Sequence, residues 1–136
     1  MVSALGLDIG SKRIGVAGCD QLGLIASGIT TLKYRSFKQL TQQLRQLIEE
    51  RSVQILVVGL PYSMDGSLGH QAKQVQKLAD RLAEALGLPL AYIDERLTSF
   101  QAEQLMLAEN LSPSRHRGLI DRKAAAIILQ QWLDGH

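Results

Sequence analysis

The length of the chain, 136 residues, suits a single domain with a sizeable core, and we expect residues 1–136 to form one domain. Hydrophobic residues make up 46% of the chain and charged residues 21%, a composition that is typical of folded globular proteins and excludes extensive disorder. One cysteine excludes an internal disulfide and a cysteine-rich zinc site, and a formal net charge of +2 is too small to argue for nucleic-acid binding by itself.

The first third of the chain predicts three strands in an antiparallel meander. Residues 5–17 read as a strand, a tight turn and a second strand, and residues 24–32 as a third. Asp8 lies inside the first strand, where a sheet normally buries hydrocarbon. An ionised carboxylate is costly there unless a cation or hydrogen-bond donors lie beside it, so Asp8 is the first candidate functional residue.

The rest of the chain alternates helices with short buried strands. The order of three strands, helix, strand, helix, strand, helix and helix predicts an α/β domain. Local signals set the boundaries, such as a serine helix cap and a glycine after a helix end. The predicted elements are a helix from Ser36 to Arg51, a strand over 54–59, a helix over 69–86 ending at Gly87, a strand from Leu90, a helix from Thr98 to Asn110, a polar loop over 111–118 and a final helix opened by Asp121.

Two further acids lie where they can join Asp8. Glu95 follows the strand that starts at Leu90, and ligands gather at the carboxyl ends of strands in open α/β sheets. Asp121 opens the last helix. If the three acids converge, a divalent cation is their natural neutraliser, because hard cations prefer oxygen ligands. From position alone, each acid also has a structural role open to it. Glu95 could cap the next helix or pair with Arg96, and Asp121 could serve as an N-cap.

Basic residues cluster in sequence around these acids. In a protein that binds phosphodiesters, such residues hold the backbone without reading the base sequence. Taken singly, each is also typical of solvent-exposed surface. The candidates for nucleic-acid contact are Lys12, Arg13, Arg96, Arg115, Arg117 and Arg122.

Four segments of the chain form a recognisable set: Asp8 to Ala17, Gly59 to Pro61 with Met64 to Gly66, Asp94 to Ser99 and Ile120 to Gln130. Together they resemble the YqgF family, also called RuvX, of RuvC-like Holliday junction resolvases, which are now mostly described as pre-16S ribosomal RNA nucleases. The resemblance covers nearly the whole chain and implies a ribonuclease H-like fold, a mixed five-stranded sheet with helices on both faces.

The resemblance also implies a chemistry. Asp8, Glu95 and Asp121 are the positions expected to be catalytic and to bind Mg²⁺ or Mn²⁺, with Asp8 as a bridging ligand. Metal ions held by carboxylates activate water and neutralise charge on a phosphate. Arginine pairs with phosphate oxygens as a fork and lysine as a point charge, roles expected of Lys12 or Arg13 and of Arg96.

The expected function is therefore metal-dependent hydrolysis of structured RNA, most simply processing of the 5′ end of pre-16S ribosomal RNA. The alternatives are a Holliday junction resolvase acting on branched DNA and a non-catalytic nucleic-acid-binding module. An actin-like nucleotide-binding protein needs two such domains, and the chain is too short for them. The sequence leaves monomer and homodimer open. It shows no secretory signal and no apolar run of membrane-span length, so we expect a cytoplasmic protein with no membrane partner.

Overall fold

The structure, a computed structural model, describes residues 2–62, 68–95, 98–109 and 117–135. The strands are β1 (Ala4–Ile9), β2 (Arg13–Cys19), β3 (Ala26–Lys33), β4 (Ile55–Leu60) and β5 (Leu90–Asp94). The helices are α1 (Phe37–Arg51), α2 (His70–Leu86), α3 (Thr98–Ala108) and α4 (Arg117–Asp134).

The five strands form one mixed sheet in the order β3-β2-β1-β4-β5. β1, β2 and β3 make the antiparallel meander, whereas β4 pairs parallel to β1 and β5 parallel to β4. The carboxyl ends of β1, β4 and β5 therefore meet at one edge of the sheet. This arrangement confirms the predicted mixed five-stranded sheet.

Alternating residues of the strands build a core on each face of the sheet. Leu5, Leu7 and Ile9 of β1 pack on one face with residues of α1 and α2, such as Leu44 and Leu82. The other face has smaller strand residues, which pack with α4, and α3 packs against α4. Helices thus cover both faces, as expected. The fully or mostly buried members of the second core are Ala4, Ala17, Val57, Ala125, Ile128, Leu129 and Trp132.

The predicted ends of the first two helices are confirmed by their caps. The Ser36 hydroxyl accepts a hydrogen bond from the Gln39 N–H at 3.1 Å, which satisfies one of the open donors of the first turn of α1. Gly87 ends α2 in the left-handed conformation with φ of 68°. Both signals act over a few residues, which is why the sequence reveals them.

Two predicted boundaries are wrong. α4 begins at Arg117, so Asp121 is the fifth residue of the helix rather than its N-cap, and residues 117 and 118 are helical rather than loop. The Thr31 hydroxyl donates to the Gly118 carbonyl, which holds this first turn against β3. The remainder of the predicted loop, and Asn110, lie outside the described residues. β3 begins two residues later than predicted, because the Asp20 carboxylate accepts the N–H groups of residues 24 and 25 in a turn.

Candidate active site

Asp8 lies on the face of the sheet that α4 covers. Strand alternation places it with Ala4 and Gly6, and its partner across the antiparallel ladder is Gly15 of β2. A Cβ atom at Gly15 would overlap the backbone carbonyl of Asp121. The missing side chain therefore lets the backbone of α4 lie directly on the sheet beside Asp8.

Glu95 reaches the same face from the far side of β4. Its N–H donates to the Leu60 carbonyl at 3.1 Å, which extends the pairing of β5 by one residue. The Glu95 side chain is buried, with 9% exposure. A Cβ atom at Gly59, in the strand between Asp8 and Glu95, would lie 2.9 Å from the Glu95 Cδ. The Glu95 carboxyl group thus lies over Gly59 and makes a hydrogen bond with Asp8.

The contact between these two carboxyl groups changes their pKa values. Burial raises the pKa of Asp8 to about 6, although the hydrogen bond from Glu95 opposes this rise. Burial, followed by the charge and hydrogen bond of Asp8, raises the pKa of Glu95 to about 9. The pair therefore holds one proton at neutral pH, with Glu95 as donor and Asp8 as acceptor. A cation is the other species that neutralises two such groups.

Asp121 is the third acid, and its carboxylate pairs with Arg13. The Arg13 Nε–H donates to Asp121 Oδ2 at 2.7 Å, and the two side chains are 34% and 17% exposed. Asp121 is near enough for its charge to contribute to the raised pKa of Asp8. Within the ranges that the structure describes, however, no three Asp, Glu, His or Cys side chains are grouped closely enough to hold a metal ion. The structure joins Asp8 to Glu95 and turns Asp121 towards Arg13.

Four of the six predicted basic contacts lie in the part of the chain that the structure describes. Lys12 is exposed in the turn between β1 and β2, and Arg13 pairs with Asp121. The Arg122 Nε–H donates to the Thr31 hydroxyl at 3.2 Å, so its guanidinium packs α4 onto β3. Arg117 is the first residue of α4, whereas Arg96 and Arg115 lie outside the described residues. Contact of these residues with nucleic acid stays a prediction.

Sequence reasoning missed two glycines that shape the site. Gly15 and Gly59 occupy strand interiors and leave room for Asp121 and Glu95 respectively. An isolated glycine in a strand can signal a close backbone approach, and that was the available clue. The sequence does not show what makes the approach, because the neighbour comes from a distant part of the chain.

A sequence profile of RuvX, described as a Holliday junction resolvase, matches residues 2–135. The chain belongs to the RuvX family. A protein from Trichormus variabilis is 70% identical over 133 residues, covering 98% of this chain and 88% of the relative. One from Synechococcus elongatus is 61% identical over 132 residues, covering 97% and 89%. Both relatives carry the name "Putative pre-16S rRNA nuclease". The match confirms the family resemblance predicted from the four segments.

Solved structures of other members of the fold agree with the ribonuclease H-like architecture. Thermus thermophilus RuvC in complex with a Holliday junction substrate superposes with a TM-score of 0.57 at 15% identity, covering 99% of this chain and 95% of that one. Fowlpox virus resolvase with Holliday junction DNA gives 0.60 at 9% identity, covering 98% of each chain. At these identities the likeness establishes the fold. None of the helices described is long and apolar enough to cross a membrane.

Proposed function

We propose that this RuvX-family protein is a metal-dependent nuclease and that its substrate is the 5′ region of pre-16S ribosomal RNA. The observation that carries the proposal is the contact between the partly buried Asp8 and the buried Glu95 at the carboxyl edge of three parallel strands. The names of relatives at up to 70% identity support the substrate. Such a role also places the protein in the cytoplasm, where ribosomal precursors are processed.

The donor chemistry of the site fits a hard divalent cation. Asp8 and Glu95 present carboxyl oxygens in mutual contact, and a cation can replace the proton that they share. We assign these two residues as ligands of Mg²⁺ or Mn²⁺, with Asp121 as the third once its side chain turns from Arg13 towards them. When bound, the ion supplies charge neutralisation at the phosphate and an acidified water.

Protein groups supply the rest of the site. Arg13 places a partly exposed guanidinium against Asp121, and the same guanidinium is suited to pair with a phosphate. Burial of Glu95 beneath α4 keeps bulk water from one side of the pair and strengthens every electrostatic interaction inside it. The sheet holds both acids rigidly, because each follows or belongs to a hydrogen-bonded strand.

The test is cleavage of a precursor 16S fragment and of a four-way DNA junction in Mg²⁺, Mn²⁺ or chelator. Wild-type protein should cut the RNA only with metal, and Asp8→Asn should abolish cutting. Asp20→Asn is the matched control, because Asp20 is an exposed aspartate that follows β2 at the opposite edge of the sheet. The Asp20→Asn protein should cut normally. Metal-independent cutting, or full activity of Asp8→Asn, would refute the assignment.

A resolvase acting on branched DNA is the second candidate, favoured by the description of the matching family. Such an enzyme cuts two symmetric strands and is expected to act as a homodimer. Cutting of the junction but not of the RNA would therefore replace the first proposal by this one. Binding of either substrate without cutting would identify a non-catalytic binding module instead.

A further inference from the structure

A groove with a volume of about 500 Å³ lies between the turn that joins β1 and β2 and one side of α2. It begins at Ile9, the residue that follows Asp8 in the chain, and continues over the turn at Gly10 and Ser11. The groove therefore starts at the same edge of the sheet as the acids. From there it continues over the face opposite α4, along Tyr34, Gln74, Lys77 and Arg81.

The charge of the groove suits an anion. Lys77 and Arg81 are four residues apart on α2, so their side chains are neighbours on one helix face. Among the described residues that line the groove, none is acidic. Asp80 lies between the two cations in sequence, but it accepts a hydrogen bond from the Tyr92 hydroxyl at 2.7 Å. The charged side chains that line the groove, Lys77 and Arg81, are thus both basic.

Two contacts fix the walls of the groove in place. The Arg81 guanidinium lies over the Phe37 ring, 4.1 Å from its centroid, which restrains a side chain that would otherwise be mobile. The Tyr34 N–H donates to the Lys12 carbonyl at 2.9 Å, which holds the Tyr34 backbone against the turn. The restrained walls reduce the entropy cost of binding.

The remaining lining chemistry distinguishes a polynucleotide from a simple anion. Gln71, Gln74 and Ser11 offer hydrogen-bonding groups, and Tyr34 offers an aromatic ring. Cations that follow a backbone, combined with aromatic and amide groups that meet bases, are the usual equipment of single-strand sites. A groove of this volume is in the range of small-ligand sites, which suits one or two unpaired nucleotides better than a duplex.

We propose that this groove binds the unpaired strand of nucleic acid that adjoins the bond cleaved at Asp8 and Glu95. The shared ligand chemistry is the phosphodiester backbone of an unpaired strand, from RNA or DNA. The link to cleavage rests on the proposed nuclease function, whereas strand binding can be measured without it.

The experiment measures fluorescence anisotropy of labelled RNA and DNA strands of about ten nucleotides in chelator, at salt concentrations from 50 to 200 mM. Lys77→Gln with Arg81→Gln removes two phosphate contacts, so the slope of log affinity against log salt should fall by about 1.4. The ratio of wild-type affinity to variant affinity should then fall about sevenfold between the lowest and the highest salt concentration. Lys77→Glu, which leaves the Arg81 contact with Phe37 intact, should weaken binding as well.

The matched control is Lys38→Gln with Arg45→Gln, which removes two exposed charges of α1 that do not line the groove. An equal loss in the control would overturn the proposal, as would an unchanged slope in the groove variant. A loss on RNA alone identifies RNA as the ligand, and a loss on both strands identifies the backbone. An equally large loss on a blunt duplex would overturn the single-strand assignment.

The two proposals fail separately. A wild-type protein that binds the strand through Lys77 and Arg81 but cuts no substrate would refute the nuclease proposal and support the strand-binding proposal. Metal-dependent cutting with the same affinity in wild type and groove variant would refute the groove and leave the nuclease.

Discussion

Gly59 is the residue whose replacement tests most directly how the site is built. An alanine Cβ at this position would lie 2.9 Å from the Glu95 Cδ and 2.5 Å from the Ile128 Cδ1. Ordinary carbon contacts are about 3.5 Å, so Glu95 must move by about 0.6 Å and Ile128 by about 1 Å. Gly59→Ala therefore disturbs the acid pair and the core beneath α4 at once.

The two effects have different expected magnitudes. Overpacking against Ile128 should lower the free energy of unfolding by about 1–3 kcal/mol. Displacement of Glu95 should slow cleavage by roughly 10-fold to 100-fold, since a shift of about 1 Å in a catalytic group can cost 100-fold. Urea unfolding and cleavage rate with saturating Mg²⁺ measure the two quantities independently.

A second substitution separates them. Ile128→Val deletes the Cδ1 atom and on its own should cost about 0.5–1.5 kcal/mol with the cleavage rate unchanged. Gly59→Ala combined with Ile128→Val should regain stability relative to Gly59→Ala but stay slow, because the overlap with Glu95 persists. A double variant that cuts at the wild-type rate would refute the role of Gly59 in positioning Glu95.

Two further predictions concern the charges of the site. The folded protein binds more protons than the unfolded chain between the usual pKa of a glutamate and the raised value of about 9 for Glu95, so stability in chelator should fall as pH rises. Urea titrations should show stability falling by about 1 kcal/mol per pH unit between pH 6 and 8 in wild type, and more slowly in Glu95→Gln. Equal slopes in the two proteins would contradict the shared proton. Arg13→Gln should change the free energy of unfolding by less than about 1 kcal/mol, because the pair with Asp121 is partly exposed. The same substitution should slow cleavage roughly 100-fold if Arg13 binds phosphate. Thermal unfolding and single-turnover rates check this, and a large stability loss at an unchanged rate would assign Arg13 a purely structural role.

The parts of the fold that the sequence predicted depend on short-range signals. The Ser36 cap and the Gly87 helix end each act within one helical turn. The meeting of Asp8 with Glu95 was predictable because parallel strands carry their carboxyl ends to one edge, and each acid lies at or near such an end.

The parts that the sequence did not predict depend on distant partners. Asp121 resembled an N-cap in the sequence, but its side chain pairs with Arg13, a residue 108 positions away. The true start of α4 is held by Thr31, from the third strand. The reason for glycine at positions 15 and 59 is that α4 packs on Gly15 and Glu95 packs on Gly59, and these contacts are visible only in the folded structure. A short stretch of sequence does not reveal these contacts, because the two partners lie far apart in the chain.

The placement of Asp8 on β1 has a consequence for how the site breaks down. β1 is the middle strand of five and is flanked on both sides by pairing partners. Hydrogen exchange from central strands generally requires opening of the whole domain, whereas loops and termini open locally. The position of Asp8 therefore depends on the stability of the whole domain: protection of its amide from hydrogen exchange should match the free energy of global unfolding, so its carboxyl group keeps its place until the whole domain opens.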